Sequence, residues 1–151
     1  MTKSLEEISD RLEIQDLMVA YSHAIDTRDW DALDDVFTED AFIDYSAMGG
    51  SSGDLKTTKD FLAKAMANFA GFQHMVATSK VTLRGDEADG RTICHNPMVI
   101  DKGDGDTHVF FCGLWYRDRF VRTPAGWRIK ERVEEKCYFH NFPADFQPAL
   151  D

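Results

Sequence analysis

The chain is short of the features that would narrow its function at once. Its three cysteines, Cys94, Cys112 and Cys137, are odd in number and lack CxxC spacing. That argues against a disulfide framework and fits reduced thiols in a cytosol. No apolar run approaches the roughly 18 residues of a membrane span. The first stretch, MTKSLEEISDRLEIQ, is charged throughout and lacks the apolar centre of a signal peptide. There is no cluster of Lys and Arg: 17 basic residues stand against 27 acidic ones, a formal charge of −10. Such a surface repels nucleic-acid phosphates and anionic lipid, so neither nucleic acid nor membrane is an expected partner. The expected location is cytoplasmic. No HxH, HExxH or Cys/His cluster suggests a metal, and no glycine-rich motif suggests a phosphate.

What is present is an ordinary globular profile, 43% hydrophobic and 29% charged over 151 residues. A chain of this length buries about 70% of its unfolded surface as one domain. The expected division is a core over residues 1–138 and a tail over 139–151, which either covers a pocket or packs on a neighbour. The organising stretch is Leu12 to Ser46. Ile14, Leu17, Met18, Tyr21 and Ile25 recur at helical spacing and form one apolar stripe. Ser4 and Glu7 have capping-box spacing at the helix start. Asp26 comes one residue after the stripe ends, about 100° round the helix from Ile25. A carboxylate at the edge of an apolar face needs a partner.

Asp29 is positioned to cap a second, shorter helix with Trp30, Leu33, Val36 and Phe37 on its buried side. A strand over Ala41 to Ser46 follows, with Ala41, Ile43 and Tyr45 on one face. Beyond a glycine-serine loop, Thr57 or Thr58 caps a third helix carrying Phe61, Leu62, Ala65, Met66 and Phe69, closed by Gly71. The remainder is strand-like: Phe72 to Leu83, a hairpin turn at Asp89-Gly90, Arg91 to Ile100, His108 to Arg122, and Trp127 to Tyr138. Helices first and long antiparallel strands after them predict an α+β fold, a curved sheet wrapped round the helices and enclosing an apolar pocket.

His74 opens the strand-like run FQHMVATSKVTL, where parity puts His74, Val76 and Thr78 on one face. If that face meets the helices, His74 meets Asp26. A buried Asp beside a His orients the imidazole and stabilises its protonated form, the arrangement of a general base. A structural ion pair is the alternative. Tyr45 shares the face of Ile43, so its hydroxyl needs a partner or a ligand. His95 and Cys94 are adjacent on a strand and point to opposite faces, which disfavours a joint metal or nucleophile site. His23, His108 and His140 read as rim or structural residues. Trp30, Trp115 and Trp127 read as core, and Asp29, Asp31, Asp34 and Asp35 as a cap and a solvated face.

Asp26-Thr-Arg-Asp-Trp-Asp31, Phe42-Ile-Asp-Tyr45 and Phe72-Gln-His74, followed by Trp115-Tyr116 and Gly126-Trp127-Arg128-Ile129, resemble the SnoaL-like group of the nuclear-transport-factor-2-like superfamily. Within it the pattern is most similar to scytalone dehydratase, then to γ-hexachlorocyclohexane dehydrochlorinase. The resemblance covers about residues 8–135. It implies a cone-shaped α+β barrel with an internal pocket, His74 as base and Asp26 as its orienting partner. It further implies Tyr45 as a group that polarises a carbonyl and His95 as a second acid. Ile25 stands where the dehydratase has another Tyr, and Cys112 lies near its substrate-contacting Asn, so scytalone itself is not the expected substrate.

The expected activity is a cofactor-independent lyase or isomerase acting on a small apolar cyclic compound, by dehydration or a related β-elimination. The resemblance implies a homo-oligomer, trimer or dimer. Rival readings are a non-catalytic ligand-binding or dioxygenase-small-subunit-like protein, a double-bond isomerase, an aldol-type cyclase, and an epoxide hydrolase. The hydrolase needs an Asp–Arg–Asp set that the spacing does not assign.

Overall fold

The computed structural model describes residues 2–146. Helix α1 (Leu5–Asp26) begins at Ser4, whose hydroxyl accepts from the Glu7 amide at 3.0 Å. All five residues of the apolar stripe are buried. The helix ends in a Schellman turn: the Arg28 amide donates to Ile25 O and the Asp29 amide to Ala24 O. Arg28 takes the left-handed conformation this corner requires (φ 58). A non-glycine residue pays about 1–2 kcal/mol there, and Arg28 is tied down by a bond to Phe69 O and by stacking on Phe72. The corner leaves Asp26 aimed along the helix end.

The second helix is shorter than expected. Asp29 accepts from the Ala32 amide at 3.2 Å, but Trp30 holds the cap position and the element is a single 3-10 stretch, Asp31–Asp35. Phe37 opens strand β1 (Phe37–Asp44) instead, because pairing with Ile129 takes over at that point. β1 stops short of Ser46, where the Asp44 carboxylate accepts the Ser46 amide and turns the chain. Tyr45 is therefore buried at a corner, not within the strand. After β2 (Ser52–Gly53), helix α2 (Leu55–Met66) is capped by Asp54; Thr57 merely donates its amide to that carboxylate at 2.8 Å. Gly71 lies beyond the helix, in β3 (Gly71–Phe72).

Strands β4 (Met75–Arg84), β5 (Glu87–Gly103), β6 (Asp106–Thr123) and β7 (Gly126–His140) form an antiparallel meander. The β4–β5 hairpin turns at Gly85 and Asp86, not at Asp89-Gly90, which lie within the ladder opposite Thr82 and Val81. Gly90 is there for packing: a Cβ would sit 2.8 Å from the Phe120 ring. The sheet runs β2-β1-β7-β6-β5-β3, with β4 also on β5 and with β1 and β7 parallel. It is an α+β fold whose sheet curves round α1 without closing into a barrel. No helix among the described residues is long and apolar enough to cross a membrane.

Candidate active site

His74 does not lie in a regular strand. β3 and β4 both pair with β5, and the chain between them, Gln73-His74, faces Pro97. Proline has no N–H to give the edge strand, so the ladder breaks there and His74 is free to turn inward. The expected alternation fails for the same region: a register shift follows Val76, and Thr78 is exposed.

Asp26 and His74 meet through three bonds. The carboxylate accepts the His74 backbone amide at 3.1 and 3.0 Å, and the ring Nδ1 lies 2.7 Å from Oδ1. The imidazole is 8% exposed, with the edges of Tyr21 and Phe72 against it. Its other nitrogen, Nε2, lies 3.0 Å from the Asn96 side chain. All neighbours are satisfied when the amide nitrogen donates to Gln73 O and Pro97 O and the amide oxygen accepts from Nε2–H. That orientation suits an imidazolium held between a carboxylate and a carbonyl oxygen. A half-turn of the amide offers an N–H to an unprotonated Nε2.

Beside the ring stand three phenols. The Tyr21 and Tyr45 hydroxyls are 2.7 Å apart, and Tyr116 packs edge-on against Tyr21. Burial pushes the Tyr21 phenol up to about 12, and Tyr45 and Tyr116 well above the usual range, so all three are neutral donors. Behind them the Arg132 guanidinium lies against both the Tyr21 and Tyr116 rings, 4.0 and 4.1 Å from their centroids. Its Nε and Nη2 hold both oxygens of Asp118, at 2.7 and 2.9 Å. Burial works against this cation, but Asp118 keeps it charged. The thiols of Cys94 and Cys112 are pushed up to about 12 by burial and are inert as nucleophiles.

His74, Asn96, Tyr21, Tyr45 and Glu134 line one cavity of about 320 Å³. Phe61, Leu62, Phe110, Phe142 and Phe146 supply much of its apolar wall. The described part of the tail thus lies over the cavity, with Phe146 tilted against Phe69 and Phe142 edge-on to Phe110. Residues 147–151, including Pro148, lie outside the described residues.

His95 is not with the others. It shares its side of the sheet with Phe111 and Tyr138, stacking on the first and bonding the second's hydroxyl at 2.8 Å. Its neighbours Cys94 and Asn96 take the inward positions, so a second acid on β5 is contributed by no histidine. His23 is exposed, and His108 bonds the Asn141 carbonyl. Among the described residues no group of three or more His, Cys, Asp or Glu is arranged to hold a metal ion.

Two cavity residues escape a reading of the sequence. Asn96 is flagged only by the Asn-Pro dipeptide. Glu134 sits on the wrong parity: counting from the buried Trp127 and Ile129, alternation turns it outward. Lys130 is an extra residue, because Phe120 pairs with Ile129 and Arg119 with Glu131. The bulge resets the alternation and turns Arg132 and Glu134 inward. Glu134 is half-buried, opening onto the cavity, and burial pushes its carboxyl up to about 8.

Helices packed on a curved, mostly antiparallel sheet, with an apolar cavity between them, are the α+β architecture of the nuclear-transport-factor-2-like class. The SnoaL-like domain matches residues 6–133, and the chain belongs to that family. An uncharacterized protein of Mycobacterium tuberculosis is 55% identical over 135 residues, which span 89% of this chain and 90% of that one. A candidate aromatic ring hydroxylase of Novosphingobium aromaticivorans is 32% identical, with a TM-score of 0.79 over 89% of this chain and 94% of that one. A candidate scytalone dehydratase of the same species has 19% identity and a TM-score of 0.79, covering 95% and 93%. The hexachlorocyclohexane dehydrochlorinase of Novosphingobium barchaimii has 16% identity and a TM-score of 0.79, covering 97% and 100%. The last two likenesses are of fold.

Proposed function

We propose that the protein is a cofactor-independent lyase or isomerase that removes a proton from carbon in a small, mainly apolar cyclic compound. The observation that carries this reading is the 2.7 Å bond between Asp26 and Nδ1 of His74, whose ring lines the cavity. Asp26 fixes the ring and balances its charge, so Nε2 faces the cavity side as a base. Substrate takes the place of the Asn96 amide at Nε2. The C–H proton moves to Nε2, the C–H electron pair shifts into a double bond with the adjacent carbonyl carbon, and the carbonyl pair moves onto its oxygen. In an elimination that charge then returns, forming the new double bond as the leaving group departs with its own bonding pair. Neutral Tyr45, supported by Tyr21, donates a hydrogen bond to the oxygen that gains charge. A fold shared with proteins named as a dehydratase and a dehydrochlorinase supports dehydration or a related β-elimination, with double-bond isomerisation as the same first step. His95 faces away from this chemistry and takes no part in it.

The test is turnover of a panel of cyclic β-hydroxy ketones and chlorinated cyclohexanes by His74→Ala and Asp26→Asn. Each variant is expected to lose about 10²–10⁴ in rate while its Tm stays within a few degrees. Loss of folding in both instead makes the pair a structural one.

A further inference from the structure

Glu134 is a cavity carboxyl that the elimination step does not use. It forms no ion pair and no hydrogen bond among the described residues. The nearest cation on its strand, Arg132, is committed to Asp118. The groups that sense its charge come from every side: Tyr21 from α1, Tyr45 after β1, Cys94 from β5, and Tyr116 and Cys112 from β6. These are neutral. The charged groups around it are Arg132 on β7 and Asp44 on β1, with Asp26 beyond Cys94, and the titratable His74 ring between β3 and β4 lines the same cavity. Its neighbour Glu135, also half-buried but on the outer face, shows the contrast by pairing with Arg91 at 2.9 Å.

We propose that Glu134 works as a neutral carboxylic acid, donating a hydrogen bond to the substrate oxygen together with the Tyr21–Tyr45 phenols. An ionised carboxylate only accepts, whereas the acid form has one O–H to give. Leaving a carboxylate unpaired among phenols and thiols is costly, and it would repel an oxygen on which negative charge builds. Burial holds the proton on Glu134 until about pH 8, so the donor form prevails at neutral pH. The class of ligand this selects is cyclic ketones, enols and phenols. The inference rests on the proton-abstraction reading above, since it is that step which places charge on the oxygen.

The probe is para-nitrophenol, whose absorbance reports its ionisation. Wild-type protein is expected to bind it with an affinity that falls about tenfold per pH unit above the Glu134 transition, one proton being linked to each binding event. In Glu134→Gln, which donates at every pH, the affinity is expected to be flat over the same range. His74→Ala is expected to keep the wild-type slope. Infrared difference spectra at neutral pH should carry a protonated-carboxyl stretch that Glu134→Gln lacks. Equal slopes in wild type and Glu134→Gln, absence of that stretch, or no saturable binding by either protein would each overturn the inference. Failure of the base reading looks different: His74→Ala would keep turnover while the phenolate slope persisted.

Discussion

Arg132 and Glu134 stand two positions apart on the inward face of β7, yet they form no ion pair. Arg132 gives two nitrogens to Asp118, and its guanidinium carbon lies close to the Tyr21 and Tyr116 rings. Its remaining nitrogen, Nη1, is buried with no hydrogen-bond partner. One strand thus carries a fully neutralised cation beside an un-neutralised acid, and the acid is the one that opens onto the cavity. The cation builds the wall, and the acid is free to act.

Glu134 makes stability depend on pH in a definite direction. Its carboxyl is raised from 4.5 to about 8, so the folded state holds a proton that the unfolded chain gives up. The penalty is absent below 4.5, grows between the two values and is complete above about 8. Glu134→Gln removes it. The Tm difference, variant minus wild type, is expected to rise across that window and level off above it.

Asn96 is expected to matter for rate more than for folding. Substrate displaces the Asn96 amide from Nε2, and the amide oxygen is placed to accept from Nε2–H again once the proton has left carbon and His74 is charged. A hydrogen bond to a charged group contributes about 1.5–3 kcal/mol. Asn96→Leu should therefore lower kcat about 10- to 100-fold, with a circular dichroism spectrum like that of wild type.

Asp118→Ala should be among the most damaging changes in the chain. Both members of the pair are 0% exposed, and removing Asp118 leaves a buried guanidinium uncompensated. Breaking such a pair costs about 3–5 kcal/mol. Urea titration is expected to show the loss, and the double change Asp118→Leu with Arg132→Met should recover part of it.

Gly90→Ala tests whether that glycine serves packing or a turn. The added methyl would meet the Phe120 ring, which is fully buried and has little room to retreat. Overpacking of this kind costs about 1–3 kcal/mol. The same change at a true turn position on the surface, such as one with open space around Gly85, would cost only what its positive φ demands.

The dyad was legible before any fold was known. Asp26 closes an apolar stripe, so a partner was required, and His74 occupied the matching place in the family pattern. The hairpin signal at Asp89-Gly90 misled because a glycine beside an aspartate reads the same whether it turns the chain or makes room for an aromatic ring. The cap of α2 was misread for a similar reason. Asp54, Thr57 and Thr58 are all capping residues, and only the backbone direction selects Asp54. His95 was assigned by likeness of position, yet a strand places alternate residues on opposite faces. The inward place fell to Asn96.

The sequence by itself determined α1 and its buried stripe, the order of the long strands, the α+β class and the residue that needed a histidine. These follow from spacing within one element, where the helical or strand period is set locally. Only the tertiary structure decided that Asn96 caps His74 and that Glu134 enters the cavity. The first depends on a proline interrupting the ladder to a distant strand. The second depends on one extra residue in β7, and a bulge is placed by the strands on either side of it, not by the residues it displaces.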